Sequence, residues 1–177
     1  MSLFQNIIII MLLIAGAGFL SLSEIALAAA RKVKLKILAE SGEIRAQKVL
    51  DLQEQSADFF AASQIGLNAV AILGGILGEA AFRPFFVELI VQSYRGPWLE
   101  TIGFALSFTM VTSLFILFAD LMPKRLAMIA PEKIAISVIE PIQIFIRICK
   151  PLAWGINAIA NVLFRLFKVN TVRDDNM

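Results

Sequence analysis

Four polar side chains interrupt otherwise apolar runs of this 177-residue sequence: Ser21 and Glu24 near the end of one run, Asn68 within a second and Asp120 near the end of a third. A carboxylate inside a membrane-length apolar run costs about 2.5 to 3.5 kcal/mol on insertion scales, and such residues face a cavity, a base or an ion. With oxygen ligands on every run, the chemistry that fits is cation handling. Ser21 and Glu24, three residues apart, share a helix face, and Gln64 and Asn68, four apart, offer two amides on another. Pro123, three residues after Asp120, lacks a backbone donor and frees a carbonyl about one turn earlier. Backbone carbonyls around Ala119 and Gly66 would then join the side chains as ligands. A plainer reading puts Asp120 at headgroup depth, paired with Lys124 or Arg125. For the serines the plainer reading is helix packing or back-bonding to a carbonyl, and for Glu79, followed by Arg83 and Pro84, it is an interfacial carboxylate.

Three stretches must position these groups. Residues 4–30, 59–82 and 101–123 are each apolar and long enough to cross the roughly 30 Å hydrocarbon layer. Between the first two, residues 31–56 carry six bases and two amphipathic segments separated by Ser41 and Gly42. The positive-inside rule makes that loop cytoplasmic and the N-terminus external. Residues 85–98 are expected as an outer interfacial helix closed by Gly96-Pro97, with Tyr94 and Trp98 as headgroup anchors. Residues 131–168 are apolar too, but Glu140, Pro141, Arg147, Lys150 and Pro151 break the run and a fourth crossing would put Arg165, Lys168 and Arg173 outside. Helices lying in the inner interface, with Trp154 in the aromatic belt, are expected instead. The fold class is therefore all-α integral membrane, with three transmembrane helices and a belt of juxtamembrane amphipathic helices over 1–168. Residues 169–177 read as the start of a linker to a further domain. Glycines 16, 18, 74, 75 and 78 exceed what three helices need to pack on one another, which implies a homodimer.

Composition removes several function classes. Hydrophobic residues make up 59% of the chain and charged ones 17%, with a mean hydropathy of +0.81, far from a soluble domain. Histidine is absent and Cys149 is the single cysteine, which leaves no ligand set for zinc, haem or iron–sulfur clusters and no internal disulfide. An enzyme would need a nucleophile and a base, and none is legible. A net charge of +2 points to no nucleic-acid partner. The first run is too long for a signal-peptide core and has no basic leader, so it should be retained as a span.

Three segments carry a family resemblance: FLSLSEIALAAARKVKLKILAESG, QIGLNAVAILGGILGEAAF and FADLMPKRLAMIAPEKIA. Together they resemble the transmembrane domain of the CorC/CNNM (cyclin M) family. The resemblance implies three transmembrane helices, a juxtamembrane belt, a homodimer and a cytosolic pair of CBS domains beyond this chain. It implies no cofactor, with Mg2+ as cargo and Na+ as coupling ion in magnesium export. The family's site serine matches Ser21. Its asparagine follows a glycine of the second span, where Gly66 is followed here by Leu67 and then Asn68. The glutamate of its Gly-Glu-x-x-Pro-Lys motif is replaced by Asp120, between Ala119 and Pro123-Lys124. Ser21, Asn68 and Asp120 would be the metal ligands for Mg2+, but that ion tolerates changes in oxygen geometry poorly. The motif wording is most similar to the bacterial branch that exports putrescine and cadaverine. Polyamine export from the inner membrane is the first expectation, Mg2+ export the second, and a non-transporting regulatory or structural membrane module the third. The expected cavity opens to the cytoplasm, with Asn68 about 14 Å beyond the inner end of its span.

Overall fold

The computed structural model describes residues 3–166, and the expected linker at 169–177 lies outside these. Every regular element among the described residues is helical: α1 (Leu3–Ala29), α2 (Lys32–Glu40), α3 (Ile44–Glu54), α4 (Ser56–Val91), α5 (Leu99–Leu114), a π-helical segment (Phe115–Leu121), α6 (Met122–Ile129) and α7 (Pro131–Leu166). Three stretches are long and apolar enough to cross a membrane: Phe4–Ala29, Phe59–Val91 and Leu99–Ile129, the last formed by α5, the π segment and α6 together. The chain is thus an all-α, multi-pass membrane domain.

The spans pack because small residues let them approach. Methyl groups at Gly74 and Gly78 would overlap the Phe115 ring and the Val111 side chain, so α4 lies directly on α5 and the π segment. Gly18 does the same for α1, where an added β-carbon would stand 3.2 Å from Pro123 Cγ and 3.3 Å from the Phe118 carbonyl oxygen. Three of the five glycines expected to build an intermolecular face are therefore used inside the single chain. Gly16 and Gly75 have open space before them.

The connecting helices gather at one end of the bundle. Gly42, at φ +100°, ends α2; the Gly42 and Glu43 amides donate back to the Ala39 and Leu38 carbonyls, a Schellman closure that needs a left-handed residue. α2, α3 and α7 share a core of Leu35, Ala46, Val49, Ala135, Ile139 and Ile142 with the last turns of α1. Ion pairs Lys34–Glu132, Arg45–Glu140 and Lys48–Glu140, each at 3.4 Å, tie α2 and α3 to α7. Rather than several helices, α7 is continuous through Pro141 and Pro151.

At the opposite end the structure corrects one expectation. Residues 85–91 do not form a separate interfacial helix but extend α4 straight through Pro84. Tertiary packing explains why: a β-carbon at Gly103 would meet Val87 Cγ2 at 2.5 Å, and Arg83, paired with Glu79, lies 5.5 Å above the Phe104 ring centroid. These contacts hold α4 against α5 on both sides of the proline. Proline is tolerated in such helices when neighbours support the interrupted turn.

Candidate functional site

The third span changes register where it carries its carboxylate. Residues Phe115–Leu121 are π-helical, and the Met122 amide donates to the Leu117 carbonyl five residues back. Single π turns inside α-helices concentrate at functional positions. Pro123 immediately follows, buried at the start of α6 and lacking the donor that would continue the ladder. The Phe118 carbonyl oxygen lies against Gly18. The Asp120 carbonyl accepts from Ser21 Oγ at 3.4 Å.

Ser21 is fully buried on α1, and the same hydroxyl also reaches Asp120 Oδ1 at 3.3 Å. Two residues on, Ser23 turns the other way and donates to the Phe19 carbonyl at 2.7 Å. The plain back-bonding reading thus holds for Ser23, while Ser21 bridges two spans. Lys124 Nζ sits 2.5 Å from Asp120 Oδ1, with Lys124 36% and Asp120 48% exposed. The headgroup-type pairing is therefore present, and it coexists with the bond to Ser21.

Around this pair lies a cavity of about 300 Å³, lined from α1 by Ala17 and Glu24, from α4 by Gln64, Leu67, Asn68 and Ala71, and from the third span by Phe115, Ile116, Ala119, Asp120 and Lys124. Gln64 Nε2 donates to Glu24 Oε1 at 3.4 Å across it. Of the expected site residues, Glu24, Asn68, Asp120, Ala119 and Lys124 share this cavity, and Ser21 joins it through Asp120. Pro123 packs behind it against Gly18, and Gly66 stands outside: a β-carbon there would meet Phe145 at 2.7 Å and Leu20 at 2.8 Å, so this glycine serves helix packing.

Leu67 and Asn68 both line the cavity. The offset between this sequence and the family's glycine-asparagine pair thus leaves an amide at the site. Residues 64, 67, 68 and 71 follow the i, i+3, i+4, i+7 pattern of one helix face, so Ala71 and Leu67 were findable from periodicity once Asn68 was chosen. Phe115 and Ile116 were not, because the π turn shifts which residues of FILFADL share a face. The lining is mixed: Asp120, Glu24, Gln64 and Asn68 supply oxygens and amides, and Ala17, Leu67, Ala71, Phe115 and Ile116 supply hydrocarbon. In the single chain Gln64, Asn68 and Ile116 are exposed, so the cavity opens along the α4 side. Such a site can hold a cation through oxygens while receiving an apolar stem.

The family model described as the Cyclin M transmembrane N-terminal domain matches residues 8–177. Among curated relatives, proteins named Polyamine export protein are similar over almost the whole chain. That of Escherichia coli is 51% identical over 98% of this chain and 39% of its own length. That of Salmonella typhimurium is 53% identical over the same shares, and that of Haemophilus influenzae is 45% identical over 100% of this chain and 41% of its own. The chain spans about two fifths of the length of these relatives.

Proposed function

Because the chain belongs to the cyclin M transmembrane N-terminal domain family, we propose that it is the membrane-embedded part of a polyamine exporter, with putrescine and cadaverine as substrates. The observation that carries the reading is that Asp120 already holds an alkylammonium, Lys124 Nζ at 2.5 Å, inside the cavity. A diamine needs an oxygen partner for each ammonium and an apolar wall for the methylenes between them. Asp120 and Glu24 provide two carboxylates, Gln64 and Asn68 provide amide oxygens, and Leu67, Ala71, Phe115 and Ile116 provide the wall. The names of the Escherichia coli and Haemophilus influenzae relatives support the same substrate class.

Mg2+ export, coupled to Na+, is the second reading, favoured by the oxygens of Ser21, Asp120 and its own carbonyl drawn together at 3.3 and 3.4 Å. A hydrated divalent ion demands near-octahedral oxygen geometry and draws nothing from hydrocarbon walls, so polyamine stands first. Transport assays in proteoliposomes of the full-length protein, with putrescine and with Mg2+ in turn, separate the two. Asp120→Glu, which lengthens the carboxylate arm, should aid Mg2+ export and leave putrescine export unchanged or lower. Export of Mg2+ without putrescine would overturn the first reading. Transport of neither cation would favour a regulatory membrane module.

The exporter is placed in the bacterial inner membrane with its N-terminus outside and its C-terminal side cytoplasmic, which the six bases of residues 31–56 support. Exposed amides at Gln64 and Asn68 are costly beside lipid. A second copy packed over the neighbouring α4 face at Ile72, Gly75 and Ile76 would cover them, so the working unit is a homodimer. The CBS pair implied by the sequence resemblance would lie in the cytosol, joined after residue 168.

A further inference from the structure

We propose that Lys124 is the resident cation of the empty site, which a substrate ammonium displaces from Asp120 and which returns when the substrate leaves. The proposal rests on the polyamine reading and adds a specificity-determining residue to it. Lys124 and Asp120 are four residues apart on the sequence, and both line the cavity. Among the described residues, Asp120 is the ion-pair partner of Lys124. The ion pair is thus part of the site's contents rather than of its frame.

The geometry of the carboxylate lets this exchange proceed by steps. Ser21 and Lys124 both contact Oδ1, and the second carboxylate oxygen offers further acceptor positions. An incoming ammonium can meet Oδ2 before Lys124 leaves Oδ1, and the carboxylate is never bare. Ser21 is fully buried and keeps its hold on the Asp120 carbonyl and Oδ1 throughout. Lys124, at 36% exposure and on a flexible four-carbon stem, has room to swing aside. Once the substrate has gone, the tethered ammonium neutralises the site again, so the empty carrier resets without an unpaired charge among apolar helices. A site whose resting occupant is a primary alkylammonium also selects that group over a compact divalent ion, which would have to displace the lysine while still bringing most of its water shell.

The test compares putrescine affinity and export in the full-length protein and its variants in lipid. Lys124→Gln removes the competitor while keeping a polar side chain. It should bind putrescine about two- to fivefold more tightly, the range set by a partly exposed ion pair, and export it more slowly because the reset step loses its counter-charge. Lys124→Arg keeps the competing charge and should bind close to the parent. Should Lys124→Gln fail to insert, Lys124→Met, which keeps the stem, carries the same expectation. Unchanged or weaker binding in the neutral variants, with binding still lost in Asp120→Asn, overturns the role of Lys124 and leaves the substrate site standing. No binding by the parent, or equal binding by Asp120→Asn, fails the polyamine site itself.

Discussion

Gly18 on α1 and Pro123 on α6 meet so closely that a β-carbon on Gly18 would stand 3.2 Å from Pro123 Cγ. Gly18 and Ser21 are three residues apart and share a helix face, so this contact seats Ser21 against Asp120 on the other helix. The proline that shapes the π turn is also the surface on which α1 registers.

Gly18 is accordingly a sensitive position for activity. Gly18→Ala needs a shift of a few tenths of an ångström and should lower thermal stability slightly. Gly18→Val should cost about 1 to 3 kcal/mol through overpacking and reduce export more than expression, because it lifts Ser21 away from Asp120. Thermal unfolding by size-exclusion in detergent, alongside transport, checks both. Parent-like transport in Gly18→Val would show that α1 does not set the site.

Gly75 and Gly78, one turn apart on α4, should respond differently to size. Gly78 already touches Val111, whereas Gly75 faces open space. Gly78→Leu should unfold the domain. Gly75→Leu should leave the single chain stable and weaken dimerisation, measured as mass in detergent and in lipid. A Gly75→Leu protein that dimerises as the parent does would place the interface on another face.

Much of the candidate site was legible because a polar side chain inside an apolar run has few reasons to be there. Ser21, Glu24, Asn68 and Asp120 announce themselves that way, and on α4 helical periodicity says which neighbours join Asn68. Ser21 could be told from Ser23 only with the fold in hand, since each has a carbonyl one turn back and tertiary contact decides between them. The π register of Phe115–Leu121 left no mark beyond Pro123, for its hydrophobic run satisfies either ladder. The continuity of α4 through Pro84 was hidden because Val87 on Gly103 and Arg83 on Phe104 are contacts between distant parts of the chain. The spans themselves follow from length and composition, which tertiary packing alters little.

Acid should loosen the juxtamembrane belt through Glu132. This residue, 9% exposed in the first turn of α7, is pushed up by burial, but hydrogen bonds from its own and the Arg31 amides and from Lys34 outweigh that and hold its carboxyl below the usual value. A depressed folded value means the stabilisation is present above the unfolded pKa and is lost as pH falls through the folded one. Glu132→Gln should therefore melt lower than the parent near neutral pH, and the gap should narrow as pH falls below the ordinary glutamate range. A gap that persists unchanged in acid would assign the effect to packing instead.

The most direct test concerns Asp120. Asp120→Asn keeps the shape of the side chain and removes its charge, so the protein should insert, fold and dimerise as before. Putrescine export measured in proteoliposomes of the full-length variant should fall to the level of empty vesicles. Export by Asp120→Asn at the parent's rate, alongside an active parent, would contradict the assignment of this carboxylate as the central cation ligand.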